Sequence, residues 1–120
     1  MEIWHNPRCS KSRAAKAALD EAGVEHTERR YLDDPPSQAE LEQVLDRLGL
    51  EPWEITRTGE AIAKEIGLAD VPRDARHRDN WITALTTHPQ LIQRPIVISS
   101  DGQAVVARHP DALEAIRDWR

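Results

Sequence analysis

The chain of 120 residues contains no phenylalanine, one tyrosine, one methionine and one cysteine. Each scarcity excludes something. A single cysteine rules out a disulfide within this chain, so any redox cycle borrows its second thiol from another molecule. No apolar run approaches the ~20 residues that span a bilayer. Glu2 and His5 interrupt the N-terminal stretch and no apolar h-region follows. No secretory leader is therefore expected, and a cytoplasmic location is the default. Excess positive charge is also missing: the formal net charge is −5, which argues against a general nucleic-acid or membrane-surface binder. The histidines carry no metal-ligand spacing and Cys9 has no second cysteine beside it, so no metal is expected.

What remains is heavily charged, at 31% Asp, Glu, Lys and Arg, and long enough for one domain over residues 1–120 with one moderate core. Residues 2–5 read as a short strand stopped by Asn6-Pro7. Residues 10–22 read as a helix rich in alanine, with Gly23 as its stop. Residues 25–31 read as a second strand. Asp33-Asp34-Pro35-Pro36 is a turn, and Ser37-Gln38-Ala39-Glu40 is a capping box. Leu41, Val44, Leu45 and Leu48 follow at helical spacing up to Gly49. A helical turn at 52–55 and helices at 59–66 and 79–87 come next, with 70–79 as a solvated loop. The period then changes. Ile96-Val97-Ile98 has strand character, Asp101-Gly102 signals a hairpin, and 103–107 is the returning strand. Pro110 opens a last helix with Leu113, Ile116 and Trp119 on one face. The order β-α-β, helical insertion, β-β-α predicts an α/β, thioredoxin-like fold around a mixed four-stranded sheet, with Cys9 where the first strand hands over to the first helix.

That position bears on chemistry. The thiolate is the reactive form, and a free cysteine with a pKa near ~8.5 is little ionised at neutral pH. A helix N-terminus and nearby cations favour ionisation, and Arg8, Lys11 and Arg13 flank Cys9. The competing reading is a small buried hydrophobe, the ordinary fate of a free cysteine. Two thiol chemistries are excluded by letter. A phosphatase loop needs Cys-x5-Arg, but Ala15 stands six positions after Cys9. A dithiol redox site needs Cys-x-x-Cys, but Ser12 fills the second place.

His5-Asn6-Pro7-Arg8-Cys9-x-x-Ser12-Arg13 resembles the signature of the arsenate reductase family that works with glutathione and glutaredoxin. Gln93-Arg94-Pro95-Ile96-Val97 resembles its second signature. The likeness extends to Tyr31-Leu32, Arg57, Gly67-Leu68-Ala69 and His88-Pro89. It implies a thioredoxin-like fold, a cis proline at Pro95, and arsenate reduction through a Cys9–arsenate adduct. By the same match, His5 helps keep the thiol ionised, Ser12 hydrogen-bonds near the sulfur, and Arg57, Arg94 and Arg108 surround the oxyanion. Glutathione is implied as co-substrate and glutaredoxin as protein partner, with no tightly bound cofactor; a monomer is expected, since Cys9 has to be reachable by both. Guanidinium groups suit the task because they stay charged and grip oxyanions with forked donors; taken singly, though, an arginine in a charged domain is ordinarily a solvated surface residue. The sequence departs from the pattern in three places. Ser10 and Lys11 stand where well-known members have small residues, His109 separates Arg108 from Pro110, and the Arg94-to-Arg108 interval is one residue longer. Two alternatives therefore stay open: a glutathione-dependent thiol reductase for another substrate, or a non-catalytic interaction protein like the Spx-type regulators.

Overall fold

The computed structural model describes residues 1–108, 110–117 and 119. His109 lies outside them, and with it the interruption noted between Arg108 and Pro110. The chain divides into two compact units, residues 1–34 with 94–120, and residues 35–93.

The first unit is built on four short strands, β1 (Glu2–Trp4), β2 (Thr27–Arg29), β3 (Ile96–Ile98) and β4 (Ala104–Val106), in the order β2-β1-β3-β4. β1 and β2 run parallel, while β1–β3 and β3–β4 are antiparallel. This is the mixed sheet and thioredoxin-like arrangement expected. β1 and the returning strand are shorter at their ends than the sequence suggested. β2 is much shorter than 25–31: His26 at one end and Arg30–Tyr31 at the other belong to connections. Ile3 and Val97 point from the sheet into a core shared with Ala15 and Leu19 of α1 (Ser10–Glu21) and Ile116 of α5 (Pro110–Arg117). α1 ends where Gly23 takes φ +68°, and the Val24 amide returns to the Leu19 carbonyl at 3.0 Å. A residue with a Cβ adopts that left-handed conformation only at a cost. α1 is charged against its own dipole, since its first turn holds no acid and its last turn no base.

The β3–β4 hairpin closes with a three-residue loop rather than a tight two-residue turn. Ser99 and Gln103 still pair, through a 2.8 Å bond from the Ser99 amide to the Gln103 carbonyl, and Gly102 sits at φ +93°. The extra residue keeps the register in step. Ile96 faces Val106, so continuing the same count sets Arg94 opposite Arg108.

The second unit is the helical segment read as an insertion. α2 (Gln38–Leu48) begins at the predicted capping box, with the Glu40 amide 3.1 Å from Ser37 Oγ and the Ser37 amide 3.1 Å from Glu40 Oε1. It packs on α4 (Arg78–Thr87), and Leu41, Val44, Leu45, Trp81 and Leu85 are buried. α3 (Ala61–Glu65) is a single short helix. The loop expected over 70–79 contains a 3-10 turn at Ala75–His77 and the start of α4 at Arg78; further 3-10 turns span Leu68–Asp70, just before it, and Pro89–Leu91. Arg78 ties α4 to Glu42 and Glu51. Ser37→Ala removes the hydroxyl half of the cap and is expected to cost about 1 kcal/mol. A urea midpoint unchanged from wild type would show that the cap contributes nothing.

Among the described residues, no helix is long and apolar enough to cross a membrane, and no group of three or more His, Cys, Asp or Glu side chains could hold a metal ion.

Candidate active site

Parallel pairing of β1 and β2, with β3 antiparallel to β1, brings four chain segments to one end of the sheet. These are the exit of β1 at His5–Cys9, the exit of β2 at Arg30–Tyr31, the entry to β3 at Arg94-Pro95, and the exit of β4 at Arg108. The ends of strands are where α/β folds gather their chemistry.

Cys9 is the N-cap residue of α1 and is half-buried. Its turn is tied by backbone. The Cys9 amide donates to the Asn6 carbonyl at 3.0 Å, and the Arg8 amide donates to Asn6 Oδ1 at 3.0 Å. Arg13 donates from Nη1 to the Pro7 carbonyl at 3.0 Å, a structural use of that arginine. Burial pushes the thiol pKa up. The backbone amides of Ser12 and Lys11 and the guanidinium of Arg94 outweigh it, so the thiol lies below its ordinary value. No side-chain cap forms in the strict sense; the sulfur faces the orphan amides of the first turn, which favour an anion there.

Arg94 precedes a cis peptide bond to Pro95. Burial works against its charge, but its hydrogen bond to the Cys9 sulfur and the neighbouring Tyr31 phenol hold the guanidinium more firmly protonated than usual. Arg108 donates from Nη1 to the Arg94 carbonyl at 2.8 Å. The longer interval thus still brings both arginines together, as the hairpin register requires. Arg57 belongs to the second unit, where its Nη1 lies 2.7 Å from Glu60 Oε1.

His5 and Ser12 meet, Nδ1 to Oγ, at 2.6 Å. The hydroxyl also accepts the Asn6 amide at 2.9 Å. His5 is only 4% exposed. Burial pulls its pKa down; Glu28 pulls the other way, and Lys16, Arg30 and Arg13 add to the lowering. Burial thus favours the uncharged ring, and a histidine shifted in this direction is a weaker source of positive charge for the thiol. Ser12 bears on the sulfur through its backbone amide, while its hydroxyl is engaged by His5 and Asn6.

Tyr31 was not singled out as a site residue, yet its fully buried ring stands against Arg94. The signal lay in topology. It is the chain's one tyrosine, two residues past a strand that runs parallel to the strand leading to Cys9.

The model of the ArsC family matches residues 4–116. The chain is 60% identical over 118 residues to an uncharacterized protein in the glnII region of Streptomyces viridochromogenes, covering 98% of this chain and 97% of that one. It is 39% identical over 117 residues to an arsenate reductase of Neisseria meningitidis, covering 97% of each. Among solved structures, the arsenate reductase from Vibrio cholerae superposes with a TM-score of 0.82 at 36% identity, over 100% of this chain and 98% of that one.

Proposed function

Because the chain belongs to the ArsC family, we propose that it is a thiol-dependent oxidoreductase that reduces arsenate to arsenite through Cys9. The observation that carries this reading is the contact between the Arg94 guanidinium and a half-buried sulfur at the head of a helix, beside a second arginine. Arsenate and a thiolate are both anions at neutral pH. Fixed cations have to offset their repulsion before the two can meet.

In the proposed cycle the Cys9 thiolate attacks arsenic, and one oxygen leaves as water once protonated. A glutathione thiolate then attacks the Cys9 sulfur. The S–As bonding pair stays with arsenic, which passes from As(V) to As(III) and leaves as arsenite, while an S–S bond forms between Cys9 and glutathione. Glutaredoxin takes over the glutathionyl sulfur and returns the Cys9 thiolate. Arg94 and Arg108 hold the oxyanion; the resemblance adds Arg57, whose Nη1 is paired with Glu60 within its own unit. Orientation of Cys9, rather than a cationic histidine, is the part this reading gives to His5 and Ser12. A cytoplasmic monomer fits a cycle in which one sulfur must meet arsenate, a tripeptide and another protein.

The test is arsenite release from arsenate with glutathione, glutaredoxin and its reductase, omitting each component in turn. Release that needs all of them is expected. A Cys9–glutathione disulfide without arsenite would instead assign a thiol reductase with another substrate. An unreactive Cys9 would favour an interaction protein.

A further inference from the structure

The His5–Ser12 contact has a third member. Glu28 stands on β2 beside Ile3 of β1, and its Oε1 lies 3.7 Å from His5 Nε2, the ring nitrogen that Ser12 does not occupy. Arg30 Nε sits 3.2 Å from the same carboxylate oxygen. The other charged groups bearing on the ring, Lys16, Arg30 and Arg13, are all cations.

A neutral imidazole has one N–H and two places to put it. With the proton on Nδ1, the lone pair of the buried Nε2 would face an oxygen of the half-buried Glu28 carboxylate, two acceptors set against each other. Ser12 Oγ would then receive two N–H groups, from His5 and Asn6, and its own proton would need another acceptor. With the proton on Nε2 both conflicts disappear, and at 3.7 Å the carboxylate acts on the Nε2–H as a facing charge rather than a hydrogen-bond partner. Nε2–H faces the carboxylate, the Ser12 O–H donates to Nδ1, and Ser12 Oγ accepts the Asn6 amide.

We propose that Glu28 is a positioning residue that holds His5 as the Nε2–H tautomer, so that the Ser12 hydroxyl proton is committed to His5 and the turn carrying Cys9 is fastened to the first turn of α1. A carboxylate orienting a histidine, which in turn orients a hydroxyl, is a recurrent way to fix hydrogen-bond direction. Here the chain ends on a serine whose backbone amide, not its hydroxyl, serves the reacting sulfur. The consequence for catalysis rests on the thiol-centred reading above; the tautomer does not.

The test is nitrogen-15 NMR of His5 in the free protein above pH 7.5, in wild type, Glu28→Ala and Glu28→Gln, with amide spectra to check folding. Wild type is expected to show the Nε2–H pattern. Glu28→Ala should move the tautomer ratio about tenfold towards Nδ1–H, as loss of a charge-assisted contact would. Glu28→Gln keeps the side-chain shape and should lower the titration midpoint of His5, because the carboxylate that raises it is gone. An Nδ1–H pattern in wild type overturns the proposal, as does an unchanged ratio in Glu28→Ala or an unchanged midpoint in Glu28→Gln. No readout involves turnover, so failure here leaves the arsenate reading standing, and failure of that reading leaves this one.

Discussion

Arg94→Ala will shift the alkylation profile of Cys9 to higher pH and slow the modification at neutral pH by roughly tenfold or more. Hydrogen bonds to a charged partner contribute about 1.5–3 kcal/mol, and Arg94 both hydrogen-bonds the sulfur and opposes its charge. The Ser12 and Lys11 amides remain, so the thiol moves towards its ordinary value without reaching that of an unassisted buried one. Arsenate reduction should fall further, by on the order of 10²–10³-fold in kcat/KM, because the same group is lost from oxyanion capture. Arg94→Lys should lie between, keeping the charge but not the planar fork. An unchanged alkylation profile in Arg94→Ala would remove Arg94 from the thiol; an unchanged arsenate dependence would remove it from the substrate.

Cys9→Ser should abolish arsenite release, with a loss on the order of 10³–10⁶-fold, since a hydroxyl at this site is neither ionised nor able to form the mixed disulfide. The fold should survive. Serine is a favoured N-cap residue, and the cysteine it replaces makes no side-chain cap. Comparing the two proteins also reads out the thiol's ionisation. The unfolded cysteine keeps its proton to about pH 8.5, while the folded one, with its pKa lowered, releases it earlier. Between the two values the unfolded state binds more protons, so the stability of wild type relative to Cys9→Ser should rise with pH through that window and level off above it. Below the window the serine variant should be at least as stable as wild type. Arsenite release near the wild-type rate would sink the mechanism; a stability difference flat across pH would mean the thiol is unperturbed.

What the letters revealed and what they hid follow from the range of the interactions. The Ser37–Glu40 cap, the end of α1 at Gly23 and the Ile96–Ile98 strand depend on neighbours a few residues away. They were legible and fall where expected. The 3-10 turns inside 68–77 and at Pro89–Leu91 were missed because so short a helix has no apolar period to display. The end of β2 was misplaced because strand propensity continues through Arg30-Tyr31 while pairing stops at Arg29. The site divides in the same way. Cys9 and Arg94 sit in local motifs, whereas the pairing of Arg108 with Arg94 needed the hairpin register, and Tyr31 needed the order of the strands. The direction in which His5 shifts was hidden most completely: burial lowers its pKa against the pull of Glu28, twenty-three positions along the chain.

The reversed charge of α1 bears on any attempt to engineer this protein. By the usual rules of helix design, Lys11 and Arg13 should become acidic, and Asp20 or Glu21 basic, each change adding about 0.3–1 kcal/mol. At the C-terminal end the existing acids are already answered locally, Asp20 by Lys16 and His26 and Glu21 by Arg117, so little is gained there. At the N-terminal end the gain would come from placing carboxylates around the sulfur, where they would repel an oxyanion and return the thiol's proton. A library selected for melting temperature alone would therefore be drawn to the positions that make Cys9 useful, and its most heat-resistant members should be its poorest reagents.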